Sequence, residues 1–210
     1  MRPDTRPDPA IAPQQPTWLA GCRAGDAAAI TAMFDDNLRT VEKVIGRLVG
    51  GTPDFEDLVQ NTFAEALRTL PRFRGEASFK TWITSIAVHT AQHHLRSGRL
   101  RRHVGLELVP EERVAAPRID MEQVLDERKL SGRLHSLLDK ISPPKRVALL
   151  LFAIDGRSVE EVAALMGASQ TATRSRVFFA RRELRALIAA DPALSEMADT
   201  MLGERVERDE

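Results

Sequence analysis

The clearest structural signal in this chain comes from residues 158–188, which read SVEEVAALMGASQTATRSRVFFARRELRALI. Apolar residues recur at helical spacing on both sides of Gly167, a residue type that permits a tight turn between two helices. Ala163 is small enough to let the helices cross closely, and Ser169 can cap the second helix. The stretch therefore predicts a helix-turn-helix, a motif whose second helix can enter the major groove of DNA.

The second helix of this motif is predicted to have an apolar inner face and a basic outer face. The inward positions are Thr173, Val177, Ala180, Leu184 and Ile188. The outward positions are Thr171, Arg174, Ser175, Phe178, Arg181, Arg182 and Arg185. Arginine can pair with phosphates or guanine edges, and an outward phenylalanine can contact a thymine methyl group. The alternative interpretation is an arginine-rich, merely solvated helix at the end of a bundle.

Three further amphipathic segments precede this motif. Residues 18–49 carry apolar side chains at helical spacing, which indicates one helix or two closely joined helices ending at Gly50. A second helix opens at Asp54, whose side chain we expect to accept from the first-turn amides, with Asp57 completing a capping pair. Pro71 stops this second helix, because proline cannot continue it.

The third segment follows a charged turn at residues 72–77. Ser78 is the predicted cap of its helix, which carries an apolar stripe from Phe79 to Leu95. Trp82 lies on that stripe, so a core role is favoured over contact with a base. The three amphipathic segments together predict a helical bundle.

The whole chain is predicted to be all-α, with two small helical domains joined by a flexible linker, the C-terminal one a helix-turn-helix. The boundary rests on the loss of periodicity after Arg102, in a stretch broken by glycine and proline. The predicted segments are a disordered arm (1–16), a first domain (17–102), a linker (103–118), a second domain (119–190) and an acidic tail (191–210). The tail either solubilises the chain or folds back on the basic helix.

Composition limits the possible functions. Thirty basic and thirty acidic residues give a net charge of zero, which counts against a freestanding nucleic-acid binder, yet basic and acidic residues are segregated along the chain. No apolar run approaches the roughly 18 residues that a membrane span needs. The single cysteine, Cys22, excludes an internal disulfide and a thiolate metal cluster. We expect a cytoplasmic protein with no cofactor and no membrane insertion.

Three motifs stand in a characteristic order: DFEDLVQNTF at 54–63, FRGEASFKTWI at 73–83, and the helix-turn-helix with RSR at 174–176. In order and spacing the chain resembles the extracytoplasmic-function (ECF) sigma factors of RNA polymerase. The resemblance implies that residues 17–102 and 119–190 are the second and fourth conserved sigma regions. It further implies a non-enzymatic factor that binds core RNA polymerase, recognises −35 and −10 promoter elements and helps melt the −10 region.

The resemblance also assigns roles to residues that match the family's motifs. Those expected to dock on the clamp helices of the polymerase β′ subunit are Asp54, Glu56, Asp57, Gln60 and Asn61. Those expected near the −10 element are Phe73, Arg74, Ser78, Lys80 and Arg96. Those expected at the −35 duplex are Ser169, Thr171, Arg174, Ser175, Arg176, Phe178 and Arg181. The second domain would also contact the β flap, and an anti-sigma factor is implied as a further partner.

Other interpretations stay open beside this one. His89 and His93 lie four residues apart and could hold a metal or act as a proton-sensitive phosphate contact, but no third ligand is near in sequence. No nucleophile-and-base pattern or phosphate-cradling glycine loop supports an enzyme. The alternative functions are a sigma-like decoy bound by a regulator, or a helix-turn-helix regulator that does not engage polymerase. Thr173 departs from the family pattern and predicts weaker packing beneath the second helix of the motif.

Overall fold

The computed structural model describes residues 15–103, 132–191 and 194, and of residues 99–103 it describes only the backbone. By their contacts these residues divide into two compact units, the first formed by residues 15–103 and the second by most of residues 132–191. All regular structure in them is helical, which confirms the all-α prediction. Outside the described residues lie most of the predicted arm (1–16), linker (103–118) and tail (191–210), and the helical pattern at 119–131; the domain boundaries stay predictions.

The N-terminal unit is a bundle of amphipathic helices. Its helices are α1 (Leu19–Ala24), α2 (Ala27–Val49), α3 (Phe55–Thr69) and α4 (Phe79–His103). The helices α2, α3 and α4 pack against one another, as the three amphipathic segments predict, and α1 packs on α2. A 3₁₀ turn, Leu70–Arg72, follows α3 and contains Pro71. The largest fully buried side chains come from α2, the 3₁₀ turn and α4: Met33, Ile45, Leu48, Leu70 and Ile83.

The apolar pattern of residues 18–49 corresponds to two joined helices, the second of the two possibilities left open. Gly25 ends α1 in the left-handed region, with φ 78°, a conformation that L side chains adopt reluctantly. Asp26 then caps α2, since its Oδ1 accepts from the amide of Ala29 at 2.7 Å. The break at Gly25–Asp26 lets α1 turn away from the axis of α2.

The predicted cap at Asp54 is wrong, whereas the cap at Ser78 is confirmed. Asp54 occupies the N-cap position of α3 but makes no side-chain cap hydrogen bond. Its ψ is 9°, outside the extended region from which a capping side chain reaches the first-turn amides, so Asp57 completes no capping pair with it. The carboxylate lies instead 3.6 Å from Nδ1 of His94 on α4. Ser78 Oγ accepts from the amide of Thr81 at 3.1 Å.

The C-terminal unit contains the second set of helices. These are α5 (132–138), α6 (Pro143–Ala153), α7 (Val159–Leu165) and α8 (Gln170–Ala189). The longest contact runs between α6 and α8, and α6 buries almost its whole apolar run. Arg146 is also buried on α6, and its guanidinium pairs with the carboxylate of Asp139 after α5. Burying an arginine is tolerable there because its charge is paired.

The helix-turn-helix is confirmed at residue level. Ser158 and Glu161 form a capping box: Ser158 Oγ accepts from the Glu161 amide at 3.2 Å, and Glu161 Oε2 accepts from the Ser158 amide at 2.8 Å. Gly167 makes the turn with φ 58°. Ser169 Oγ then accepts from the Ala172 amide at 3.2 Å and fixes the start of α8. Ala163, the small residue predicted to let the two helices cross closely, is only 4% exposed.

Among the helices that the structure describes, none combines the length and the apolar character needed to cross a membrane.

Candidate nucleic-acid and protein interfaces

The helix α8 presents its arginines outward, as predicted. Thr173, Val177 and Ala180 are buried on its inner side, and Leu184 and Ile188 are partly buried. Six of the seven residues predicted for the −35 duplex are exposed, and Arg176 is half-buried. The exposed six are Ser169, Thr171, Arg174, Ser175, Phe178 and Arg181. Because these residues combine cations with hydroxyl donors and the ring of Phe178, this face can contact both phosphates and base edges.

An aromatic pair forms part of this outer face. Phe178 is 63% exposed and Phe179 is 43% exposed, and their rings meet at 5.4 Å between centroids in an edge-on arrangement. Two cations flank Phe179: Lys145 Nζ lies 5.7 Å and the guanidinium of Arg182 lies 5.8 Å from the ring centroid. These contacts hold the Phe179 ring in place beside Phe178.

The opposite edge of α8 carries a second stacked arginine. The guanidinium of Arg181 lies 4.9 Å from the ring centroid of Phe152 on α6. Stacking fixes the position of Arg181 while its side chain stays exposed. The predicted set of −35 residues therefore gains two supporting aromatic rings, Phe152 and Phe179. Their role was missed because it depends on contacts between α6 and α8; the three-residue spacing of Phe179 and Arg182 was the one local signal.

The polar face of α3 is the candidate protein-docking surface. Glu56, Asp57, Gln60 and Asn61 are exposed, and Asp54 is half-exposed beside His94. They lie opposite the buried stripe of α3, which consists of Leu58, Val59, Thr62, Phe63 and Ala66. The predicted division of this helix into a core face and a polar face is confirmed. The acidic side chains stand at the N-terminal end of the helix, where the helix dipole favours negative charge.

Near the C-terminal end of the same α3 face, a positive and a negative side chain pair with each other. Arg68 donates to Glu65 from Nη2 to Oε1 at 2.6 Å; the Arg68 side chain is largely exposed and that of Glu65 is partly exposed. The hydrogen bond from Arg68 holds the pKa of the Glu65 carboxyl below its usual range. The net negative charge of the α3 surface is thus concentrated in its first turns, at Glu56 and Asp57.

The turn before α4 carries the residues predicted for the −10 element. Arg74, Lys80 and Arg96 are exposed, and Ser78, whose hydroxyl caps α4, is half-buried. Arg74 and Glu76 approach at 3.9 Å, with both side chains mostly in solvent. The exposed cations leave this turn and the following helix able to contact a nucleic-acid backbone.

Phe73 is the buried member of the residue set predicted for the −10 element, and its contact with DNA stays a prediction. It is only 5% exposed and packs at 5.5 Å from Phe79 and 5.0 Å from Trp82, measured between ring centroids. The Phe73 side chain thus has little exposed surface on which a base could stack. Phe73 therefore supports the turn from below. Trp82 is partly exposed and joins the same cluster at 5.1 Å from Phe79, in line with its favoured core role.

The histidine pair belongs to none of the three predicted sets of site residues. His89 and His93 are both exposed on α4. In the part of the chain that the structure describes, no three or more His, Cys, Asp or Glu side chains are grouped to hold a metal ion. Cys22 is buried in α1, and burial, followed by the nearby charge of Asp26, raises the pKa of its thiol.

Two protein-family models match this chain. The family model for sigma-70 region 2 matches residues 33–101, and that for sigma-70 region 4 matches residues 131–184. The chain is 32% identical over 182 residues to the ECF RNA polymerase sigma factor SigE of Mycolicibacterium smegmatis, covering 83% of this chain and 69% of the relative. It is 30% identical over 166 residues to the ECF RNA polymerase sigma-E factor of Escherichia coli K12, covering 76% and 86%.

Solved structures agree in fold. CnrH in complex with the cytosolic domain of CnrY superposes with a TM-score of 0.56 at 26% identity, over 83% of this chain and 96% of that chain. The sigma factor RpoE in complex with the anti-sigma factor NepR from Bartonella quintana gives a TM-score of 0.55 at 22% identity, over 77% and 97%. The second similarity supports the fold alone.

The helices and surfaces define an all-helical protein whose C-terminal unit carries a DNA-binding helix-turn-helix. The two family models lie one in each unit, and relatives at 30% identity or more extend across most of the chain. The chain belongs to the ECF RNA polymerase sigma factors, the family indicated by its sequence motifs, and it directs transcription initiation.

Proposed function

We propose that three surfaces of this chain each bind a different partner during promoter-specific initiation. The exposed polar face of α3 binds core RNA polymerase at the clamp helices of β′. The turn at residues 73–78 and the adjoining part of α4 capture the −10 element, and α8 reads the −35 element. The observation that carries the proposal is the acidic patch at Glu56 and Asp57, exposed in a chain that also exposes a basic helix. A freestanding DNA-binding regulator has no use for such a patch.

At the −10 element the exposed groups suit an unpaired strand. Arg74, Lys80 and Arg96 supply cations for the phosphates. The Ser78 hydroxyl accepts from the Thr81 amide and lies 2.9 Å from the Thr81 hydroxyl. When Thr81 is the donor between the two hydroxyls, the Ser78 proton can be donated to an acceptor on DNA. These groups bind and hold the strand, and no bond is made or broken on the protein. We therefore propose that the chain is not an enzyme and that it acts in the cytoplasm, together with the polymerase.

At the −35 element the outer face of α8 suits duplex DNA. Arg174, Ser175 and Phe178 lie where base edges are read, and Ser169, Thr171 and the half-buried Arg176 lie where the backbone passes. The stacked guanidinium of Arg181 is held ready for a phosphate. The C-terminal unit is further proposed to contact the β flap of polymerase.

An anti-sigma factor is the proposed regulatory partner. Two solved structures with the same fold are complexes, one with the cytosolic domain of CnrY and one with the anti-sigma factor NepR. Since the present chain exposes an acidic surface on α3 and a basic surface on α8, a protein that covers either surface would block initiation. We propose control by such a protein.

Run-off transcription tests the proposed function. Bacterial core polymerase is incubated with genomic DNA fragments, with and without the full chain, and specific new transcripts are expected only with it. Asp57→Arg reverses an exposed charge on the α3 face and should abolish both the transcripts and co-elution with core polymerase. Asp35→Arg reverses an exposed charge on α2 and is the matched control, expected to behave as the unchanged chain.

Two results would overturn the proposal. Absence of transcripts together with absence of co-elution would leave a decoy or a freestanding regulator. Specific transcripts that persist with Asp57→Arg would place core binding on another surface.

A further inference from the structure

The segment formed by residues 15–24 lies upstream of the region 2 match, which begins at residue 33. It nevertheless contacts the turn before α4 at several points. Nη2 of Arg23 donates to the main-chain oxygen of Phe73 at 2.7 Å, across fifty positions of sequence. The side chain of Gln15 lies against Gly75, where an added Cβ would come within 2.4 Å of its Nε2.

The same segment is firmly fixed to the rest of the bundle. The ring of Trp18 meets the ring of Phe79 edge-on at 4.6 Å, and its Nε1 donates to Oδ2 of Asp36 on α2 at 2.7 Å. Trp18, Leu19 and Cys22 are each less than 10% exposed. A donor carried on α1 is therefore held at a defined place relative to α2 and α4.

The contact fixes the point at which the chain enters the turn. The amide of Phe73 donates to the oxygen of Leu70 at 3.1 Å, so both main-chain polar groups of Phe73 are engaged once Arg23 holds its oxygen. After Phe73 the chain passes through Gly75, with φ 76°, and the turn ends where Ser78 caps α4. Between these two fixed ends Arg74 projects into solvent.

We propose that Arg23 is a positioning residue for promoter opening, an inference that rests on the proposed role of the turn at the −10 element. From α1 its guanidinium holds the Phe73 carbonyl and thereby presents Arg74 and the start of α4, with Lys80, to the unpaired strand. A guanidinium suits this task because hydrogen bonds from a charged donor are stronger than neutral ones. Because Arg23 orders the turn before DNA binds, the entropy cost of ordering it does not reduce the free energy of DNA binding.

The test uses the full chain with Arg23→Gln, Arg23→Lys and the matched control Arg39→Gln, an exposed arginine on α2. Hydrogen exchange of the free protein is measured for the peptide covering residues 73–78 and for α2. Holoenzyme is then assembled with core polymerase, and core affinity and the rate of promoter opening are measured on a fragment from the run-off screen.

Arg23→Gln is expected to accelerate exchange in residues 73–78 and leave α2 and core affinity unchanged. It should slow promoter opening about tenfold, the scale of losing one charge-assisted hydrogen bond. Arg23→Lys keeps the charge but has fewer hydrogen-bond donors, so its exchange and opening rates should lie between those of Arg23→Gln and the unchanged chain. Arg39→Gln should match the unchanged chain. If Arg23→Gln unfolds the N-terminal unit, visible as faster exchange throughout α2, then Arg23→Lys decides the question by the same measurements.

Unchanged exchange in the turn, or faster exchange with an unchanged opening rate, would overturn the role of Arg23. The exchange measurement needs neither polymerase nor promoter. If the unchanged chain starts no transcript at all, the proposed function fails on that result, while exchange still decides whether Arg23 orders the turn.

Discussion

Phenylalanine has opposite roles in the two units of this protein. Phe79 is 4% exposed and lies between Trp18, Phe73 and Trp82 in the N-terminal bundle. Phe178 is 63% exposed on the outer face of α8. The same apolar ring therefore stabilises the fold in one place and remains available for a partner in the other.

Alanine substitution at these two positions should separate stability from binding. Phe79→Ala leaves a cavity in the aromatic cluster and should lower the free energy of unfolding of the N-terminal unit by about 3–5 kcal/mol. Phe178→Ala should change stability by no more than about 0.5 kcal/mol, yet weaken binding of the holoenzyme to its −35 element by about 1–3 kcal/mol. Denaturant unfolding and fluorescence polarisation with labelled duplex give the two quantities. A Phe178→Ala variant that binds DNA normally would remove Phe178 from the −35 surface.

A threonine is fully buried beneath the outer face of α8. The hydroxyl of Thr173 donates to the main-chain oxygen of Ser169 at 3.0 Å, and the same oxygen also accepts from the Thr173 amide. Removing the hydroxyl thus leaves that oxygen with a partner. Thr173→Val should keep the free energy of unfolding or raise it by up to about 1 kcal/mol, because a methyl group replaces a buried polar group.

Thermal unfolding of the two chains measures this difference. A stabilised Thr173→Val chain would support the sequence-based prediction that threonine weakens the packing under α8. A loss of more than about 1 kcal/mol would show that the hydroxyl contributes net stability at this site.

The helices were predictable from the sequence because each repeats its apolar positions over several turns. The helix-turn-helix was also predictable, since its cap, turn glycine and small crossing residue are all local. The placements that the sequence did not reveal depend on contacts distant in sequence: the side chain of Asp54 lies beside His94, and the ring of Phe73 packs against Phe79 and Trp82. No periodicity within a helix reports such contacts. The link between Arg23 and Phe73 belongs to the same class.

The turn between α7 and α8 gives a prediction at the scale of whole helices. Gly167 has φ 58°, so Gly167→Ala forces a Cβ into the left-handed region and should cost about 1–2 kcal/mol of stability in the C-terminal unit. DNA binding should weaken with it, because the turn sets the angle of α8. Gly51→Ala is the control, since an added Cβ meets nothing within 4 Å there. Circular dichroism melts of both variants provide the measurement, and equal melting temperatures would contradict the requirement for glycine at the turn.

Across the whole molecule, a net charge of zero hides two surfaces of opposite sign. The acidic patch lies on α3 in the N-terminal unit, and the basic face lies on α8 in the C-terminal unit. Neither has to bind tightly alone, because attachment of one surface to polymerase raises the local concentration of the other at a promoter.

The free chain should therefore bind promoter duplex weakly, and the holoenzyme about 10²–10⁴ times more tightly. Binding by the free chain should also fall steeply with added salt, since arginine–phosphate contacts release counterions. Polarisation titrations of one labelled promoter with free chain and with holoenzyme, at two salt concentrations, test both statements. A free chain that binds as tightly as the holoenzyme would favour a regulator that acts without polymerase.

The hydrogen bond from Arg23 to the Phe73 oxygen also bears on how such proteins diverge. Every residue type offers the same main-chain oxygen, so this anchor does not depend on which side chains the turn carries. After a gene duplication, residues along the turn can be exchanged one at a time while its entrance stays in place. Under the role proposed for the turn, a copy can thereby acquire a new −10 preference through substitutions in the turn while its helical bundle stays folded.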